Sequence, residues 1–117
     1  MPQSWVLQIM ASEADVSHRE EIITSDGSEM TVALHAKFDG EDHPVIGSPL
    51  MATMACTRLA PHVIAGTGKK SGAVTLTDTL TASPDGEVLT LTYSIFDGNQ
   101  EIATGTAIFE RRRAESQ

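Results

Sequence analysis

The sequence predicts an all-β fold, an eight-stranded antiparallel up-and-down barrel, from three observations. First, the Asp-Gly dipeptide occurs four times, at 26–27, 39–40, 85–86 and 97–98. Glycine accepts a positive φ and Asp tolerates one, so this pair is typical of tight turns between antiparallel strands. Second, apolar and polar residues alternate along several of the segments between these turns. Third, no long helical segment is present to build a parallel crossover.

The first part of the chain contains three predicted strands, of which the third has the clearest pattern. The first covers 4–10 and the second covers 19–25, and the polar segment at 11–18 between them predicts a loop or a short helical turn. The third covers 30–38, where an apolar residue at every second position predicts a half-buried strand. Its apolar side consists of Met30, Val32, Leu34, Ala36 and Phe38.

The middle of the chain is less regular. Residues 39–49 contain two Gly, two Pro and three acidic residues, which predicts a loop. Residues 50–59 fit a strand or a helix, because their apolar residues also follow a helical spacing. The rhythm of short strands on both sides favours a strand there, and a further short strand is predicted over 62–68.

The last part of the chain predicts three strands joined by tight turns. These strands cover 73–82, 87–96 and 101–111. Residues 83–86, Ser-Pro-Asp-Gly, form a predicted turn in which Pro presets φ and Gly takes the left-handed position. Sequential strands of this kind remove their exposed edges by closing into a barrel, and a small barrel holds packed side chains or one small ligand.

Composition excludes several classes of function. The length of 117 residues predicts one domain over residues 1–117. A net charge of −8 argues against a nucleic-acid partner, because phosphate binding needs a basic surface. The two basic clusters, Lys69-Lys70 and Arg111-Arg112-Arg113, are interpreted as solvated. Neither a signal peptide nor a membrane helix is visible in the sequence, which predicts a cytoplasmic protein.

Metal, cofactor and thiol chemistry are not predicted. A single cysteine, Cys56, permits no intramolecular disulfide, and its apolar surroundings indicate an inert buried thiol. The four histidines lack the spacing of metal ligands, so no metal is expected. The segment Gly66-Thr67-Gly68 lacks the context of a dinucleotide-binding loop and is interpreted as a flexible hairpin.

Two polar residues on apolar strand faces are the candidate catalytic residues, Asp78 and Tyr93. Asp78 lies between Leu76 and Leu80 on one face of its strand. Burial there would raise its pKa and would allow it to act as a general acid or base. The alternative is a bulge that turns Asp78 to water. The Tyr93 hydroxyl would either orient a ligand or pair with Asp78 inside the barrel. The alternative is a solvent-exposed hydroxyl at the barrel rim. His35 is expected to face outward.

Apolar inward positions are the candidate ligand contacts. Met51 and Met54 have flexible thioethers, which suit either a pocket for an apolar guest or ordinary core filling. The last strand alternates small residues, which would leave free volume inside, with Ile102 and Ile108, which would face outward as a homodimer contact. The predicted ligand contacts are Trp5, Leu34, Met54, Cys56, Leu76, Leu91 and Phe109.

Two parts of the sequence resemble a known family. Ser4-Trp5-Val6-Leu7 together with Glu110-Arg111-Arg112 is similar to the calycin arrangement, in which a Trp on the first strand closes the barrel floor and an Arg from the last strand packs across it. Gln3 stands where that pattern has Gly. Residues 37–49 resemble the KFDGxxxPVxGxP segment of short bacterial lipocalin-like proteins. The resemblance covers most of the chain and implies a lipocalin-like barrel.

These observations lead to competing functional hypotheses. The first is a barrel that binds a small, mostly apolar molecule. The alternative is a cofactor-independent cyclase or isomerase acting on a polyketide-like or other hydrophobic natural product, which the resemblance to lipocalin-like cyclases suggests. In that enzyme, confinement and the polar groups Asp78 and Tyr93 would supply catalysis. A third hypothesis is a filled barrel that serves as an interaction module.

Overall fold

Nine antiparallel strands form one sheet in chain order in the computed structural model, which describes residues 4–110. Each strand pairs with the next one along the chain, and no helix occurs within the described range. The strands are β1 Ser4–Ala11, β2 Asp15–Ile23, β3 Glu29–Lys37, β4 His43–Ile46, β5 Thr53–Ala60, β6 Val63–Lys70, β7 Ala73–Ala82, β8 Val88–Asp97 and β9 Gln100–Glu110. The all-β antiparallel prediction is confirmed, whereas the predicted count of eight strands is not.

The sheet curls into a nearly closed barrel. Its two ends meet where Trp5 near the start of β1 contacts Phe109 near the end of β9, with ring centroids 5.2 Å apart and planes at 88°. Because nine strands alternate in direction, β1 and β9 run parallel to each other. No ladder joins these two strands among the described residues, so the aromatic pair marks the seam.

The additional strand is β4, which lies inside the segment predicted as a loop. It forms only two ladder pairs with β3 and two with β5. A strand this short accommodates Pro44, which has no N–H to contribute to a longer ladder. Four residues are also too few to show an alternating pattern, and this is why the sequence prediction missed the strand.

Strand β2 begins at Asp15, four residues before the predicted start. The segment 11–18 was predicted as a loop or helical turn because it is polar. In the structure His18 and Glu20 occupy inward positions between Val16 and Ile22, so two polar side chains interrupt the apolar face. The loss of the apolar pattern in β2 is therefore caused by polar groups inside the barrel.

The ambiguity over residues 50–59 is resolved in favour of a strand. Strand β5 starts at Thr53, and its inward residues Met54 and Cys56 are each 3% exposed. They pack with Val16, Leu34 and Ala36 into the buried core. The period of two over these residues excludes the helical alternative.

The four Asp-Gly turns form as predicted, and three of them share one mechanism. All four glycines have positive φ. The side chains of Asp26, Asp39 and Asp85 accept a hydrogen bond from the N–H two residues further on, at 2.9, 2.9 and 3.0 Å. Each carboxylate thus holds its turn across the glycine. Hydrogen bonds from Thr24 and Ser28 lower the pKa of Asp26 to about 2.

Arg58 packs on Phe38 at the end of the barrel where β1 connects to β2. The guanidinium carbon of Arg58 lies 4.8 Å from the centroid of the Phe38 ring, and Nη2 of Arg58 donates to the backbone oxygen of Ser12 at 2.8 Å. At the outer surface of β9, Ile102 and Ile108 are 59% and 68% exposed, so their outward orientation is confirmed. Self-association through this surface stays a prediction.

Candidate ligand-binding cavity

A cavity of about 440 Å³ occupies the barrel interior away from the Arg58–Phe38 contact. Its mouth is lined by the β2–β3 turn at Thr24 and Ser25 and by the β4–β5 connection at 48–51. The wall is mostly apolar, and the cavity's volume falls within the range of small-molecule sites. Representative wall residues are Met30, Val32, Met51, Met54, Leu91 and Ile95.

Methionine is prominent in this wall. Met30, Met51 and Met54 line the cavity, whereas Met10 is exposed at the surface. Unbranched thioethers adjust their shape at low cost, so these side chains allow the wall to adapt to guests of different shape. The sequence had left two interpretations of Met51 and Met54, a pocket for an apolar guest or core filling, and both residues line the cavity.

Glu20 is the polar residue of the cavity wall with the lowest exposure, 8%. The indole Nε1 of Trp5 donates a hydrogen bond to Oε1 of Glu20 at 2.7 Å. On its other side, Oε2 lies 3.3 Å from Nε2 of His18, and this nitrogen is buried without a hydrogen-bond partner. The imidazole and the carboxylate are therefore close, but they are not aligned for a hydrogen bond.

Asp78 also faces the cavity, from the middle of β7. The ladders on both sides keep their register at this residue, which pairs with Gly66 of β6 and Tyr93 of β8, so no bulge turns it to solvent. The net pKa of Asp78 is raised to about 6, mainly because the carboxyl group is buried and also because Glu20 is nearby. His18 and a backbone hydrogen bond at Gly66 lower this pKa and so limit the rise.

Glycines in the strands make room for these side chains. A single inward row crosses five strands through Cys56, Gly66, Asp78, Tyr93 and Gly105. A methyl group at Gly66 would lie 2.6 Å from Oδ1 of Asp78. At Gly105 it would overlap the Tyr93 ring. Asp78 and Tyr93, the large polar residues of the row, thus each lie beside a glycine. The need for this space explains why glycine occurs in the middle of these strands.

The prediction of a flexible hairpin at 66–68 is wrong. These residues lie in the middle of β6, and the hairpin follows at Ser71 and Gly72, both of which have positive φ. A methyl group at Gly68 would lie 2.6 Å from Sδ of Met51 and 3.5 Å from Cβ of Leu76. The glycines of β6 therefore provide interior space and do not form a turn.

Tyr93 lines the cavity and lies across Gly105. Its hydroxyl has no hydrogen-bond partner among residues 4–110, and no bond joins it to Asp78, although the two residues are opposite each other on adjacent strands. This hydroxyl is thus available to a ligand as donor or acceptor.

The cavity contains most of the residues predicted as ligand contacts. Trp5, Leu34, Met54, Leu76 and Leu91 line it, as do the candidate catalytic residues Asp78 and Tyr93. The two others do not line it: Phe109 packs edge-on against Trp5, and Cys56 lies at a separate void. Arg111 and Arg112, implied by the resemblance to cross the Trp, lie outside the described residues.

The sequence prediction missed His18 and Glu20. His18 was placed in a polar loop and Glu20 in a strand with no face assigned. Residues 16, 18, 20 and 22 do alternate along β2, as the inward residues of a strand must. The pattern predicts an inward face only if two of its four residues are allowed to be polar. Their partners come from β1 and β7, which no local pattern connects to β2.

A second void of about 30 Å³, room for a water molecule, lies beyond His18 and Asp78 beside Cys56. Burial and the charge of Asp78 raise the pKa of the Cys56 thiol to about 11. Cys56 therefore stays protonated at neutral pH and is a poor nucleophile.

The remaining histidines lie outside the cavity. Nε2 of His35 is 3.0 Å from Asp15 at the exposed surface, as the predicted outward orientation requires. Nε2 of His43 is 3.0 Å from Asp39. Over residues 4–110, no group of three or more His, Cys, Asp and Glu side chains is arranged to hold a metal ion.

Comparison of the chain with protein-family models, with curated proteins and with solved structures finds no match. In the described part of the chain there is no helix with the length and apolar character needed to cross a membrane. The geometry of the cavity is therefore the basis for a functional conclusion.

Proposed function

We propose that this protein is a cytoplasmic, lipocalin-like barrel that binds a small, mostly apolar molecule. The observation that supports this proposal is the cavity of about 440 Å³, with an adaptable apolar wall and a few convergent polar groups. Sites of this kind gain affinity from burying apolar ligand surface and gain orientation from the polar groups. Here the orienting groups are Glu20, His18, Asp78 and Tyr93.

A fluorescent apolar dye tests the proposal. N-phenyl-1-naphthylamine, which is uncharged at pH 8, is expected to bind with increased emission in an equimolar complex. Val32→Phe adds a ring to a buried wall position and is expected to weaken dye binding at least tenfold by occupying the cavity.

The matched control is Thr31→Phe, which adds the same ring to the exposed face of the same strand. This control is expected to bind the dye like the wild type. Melting curves of both variants establish that each is folded. Equal dye binding by wild type and Val32→Phe, or no binding by the wild type, would contradict the proposal. Native mass spectrometry of the purified protein gives a second test, since a bound guest adds a discrete mass.

Asp78 favours a second candidate function, a cofactor-independent cyclase or isomerase. Its carboxyl group faces an apolar cavity with a pKa of about 6, so at neutral pH it is mostly ionised and more basic than an ordinary Asp. Such a base removes a proton from carbon of a hydrophobic substrate, such as a polyketide-like ketone, and returns it elsewhere. The unpartnered Tyr93 hydroxyl is placed on the adjacent strand to donate to the developing oxyanion.

A simple proton-abstraction substrate tests this second function. 5-Nitrobenzisoxazole loses its ring proton to a base as its N–O bond breaks, which yields a coloured cyanophenolate. The wild type is expected to accelerate this opening, with a rate that rises with pH around 6 as Asp78 ionises. Asp78→Asn is expected to abolish the acceleration, whereas Glu21→Gln, which removes an exposed carboxylate, is expected to retain it. An unchanged rate in Asp78→Asn excludes Asp78 as the base.

A further inference from the structure

The ionisable groups that line the cavity are predominantly acidic. They include Glu20, Asp78 and His18, and no Lys or Arg lines the cavity among residues 4–110. With both carboxylates ionised, their charge together with that of His18 is negative whether the imidazole is neutral or protonated. A guest head group therefore meets negative charge and hydrogen-bond acceptors.

Four of the five Lys and Arg residues between positions 4 and 110 make contacts outside the cavity. Arg58 lies against Phe38 and the Ser12 carbonyl, and Arg19 pairs with the exposed Glu21. Nζ of Lys69 is 3.4 Å from Asp42 at the surface, and Nζ of Lys70 donates to the backbone oxygen of Pro49. None of these groups neutralises the carboxylates inside the barrel.

The Glu20 carboxylate also keeps unused acceptor capacity. Oε1 accepts the bond from Trp5, while Oε2 has His18 Nε2 at 3.3 Å without hydrogen-bond alignment. A carboxylate offers about four lone-pair sites, so a ligand donor is able to add a bond here without displacing Trp5. An ammonium group supplies such donors together with the opposite charge.

We propose that the cavity selects guests that join an apolar body to a protonated amine, and that it rejects guests with a carboxylate head. This inference rests on the proposed binding function and specifies its ligand class. Coulomb energy between unit charges several ångströms apart in a partly buried site amounts to a tenfold or larger change in affinity. A carboxylate guest would bring another negative charge beside Glu20 and Asp78, at a comparable penalty.

Three guests with the same ten-carbon chain test the selectivity: decylamine, decanol and decanoate. Each competes with N-phenyl-1-naphthylamine at pH 8, below its micellar concentration, where the amine and the acid are both charged. Decylamine is expected to bind at least tenfold more tightly than decanol, and decanoate at least tenfold more weakly. Titration calorimetry without dye checks each affinity independently.

Two variants connect the selectivity to the carboxylates. Glu20→Gln removes one charge and keeps an acceptor for Trp5, and the double variant Glu20→Gln/Asp78→Asn removes both charges. The preference for decylamine over decanol is expected to fall in the first variant and to be almost absent in the second. Glu21→Gln is the control, because it removes an exposed carboxylate one residue away on the opposite face of β2, and it is expected to keep the full preference.

The outcomes separate the two levels of the proposal. If the dye binds but the three decyl compounds bind equally, or decanoate binds best, the amine selectivity is overturned and the binding function stands. A preference that survives in the double variant also overturns it. If neither the dye nor any decyl compound binds, the binding function fails, and the selectivity fails with it.

Discussion

Replacing Asp78 by Asn is expected to increase the free energy of unfolding by about 2–3 kcal/mol at pH 8 and to change it little at pH 3.5. The cause is the burial of the carboxylate in the cavity wall beside Glu20, which raises the pKa of Asp78 to about 6. Asn keeps the size of the side chain and an oxygen for the hydrogen bond from the Gly66 backbone, but it has no charge to bury.

The pH dependence follows from the direction of this pKa shift. Because the folded protein binds the Asp78 proton more tightly than the unfolded chain, ionisation of Asp78 destabilises the fold. The penalty is absent below the unfolded pKa, near 3.8, grows as pH rises toward about 6, and is constant above that value. The stability difference between wild type and Asp78→Asn should follow the same curve.

Urea denaturation at half-unit steps from pH 3.5 to 8 measures this difference. Taking the difference between the two proteins cancels the titration of groups that they share. Glu21→Gln, on the outer surface, is expected to show a small difference without the rise between pH 4 and 6. A difference for Asp78→Asn that is equally flat would mean that the carboxylate is hydrated in the native protein.

Replacing Trp5 by Phe is expected to destabilise the protein by about 3 kcal/mol. The substitution keeps an aromatic ring for the contact with Phe109 but removes the indole N–H that donates to the buried Glu20 at 2.7 Å. A buried carboxylate that loses its donor is left unsatisfied in a low-dielectric site, and this costs more than the loss of ring area.

A double-mutant cycle separates the hydrogen bond from the packing. Glu20→Met replaces the carboxylate by an apolar chain of similar length, so Trp5→Phe in that background should cost about 2 kcal/mol less than in the wild type. Circular dichroism follows urea unfolding, because the only Trp is lost in two of the four proteins. Additive costs in the cycle would show that the Trp5–Glu20 hydrogen bond contributes no stability.

The two predictions describe opposite effects within one site. The Trp5–Glu20 hydrogen bond stabilises the seam of the barrel, whereas Asp78 is held at a cost in stability. An unfavourable buried group in a cavity is typical of a functional site, since selection for stability alone would remove it. A more stable Asp78→Asn variant that also has a weaker preference for amines or fails to open 5-nitrobenzisoxazole would link this cost to function.

Much of the fold follows from local patterns in the sequence. The alternation in β3 predicted which residues face inward, and Val32, Leu34 and Ala36 are indeed buried. The turns were predictable because an Asp-Gly turn depends on a few adjacent residues, and the Asp side chain bonds within two residues of itself. For Asp78 the alternation in the sequence left two alternatives, an inward position or a bulge that turns it to water, and the unbroken ladder register of β7 at this residue decided between them.

The polar centre of the cavity could not be found in the same way. Asp78, Glu20 and Trp5 are brought together by the curvature of the sheet and by the register of separate strands, neither of which appears in a single-strand pattern. The alternation in β2 was also obscured by the very residues that form this centre. Strand β4 was missed because its pairing depends on its neighbours β3 and β5 more than on its own four residues.

By itself, the order of residues determined that this chain folds back repeatedly into antiparallel strands, because turn chemistry and side-chain alternation act over a few neighbouring positions. Only the tertiary structure decided that the strands surround an open space with two carboxylates directed into it. Whether such an interior is filled or hollow depends on how side chains from distant strands meet, as the glycines beside Asp78 and Tyr93 show.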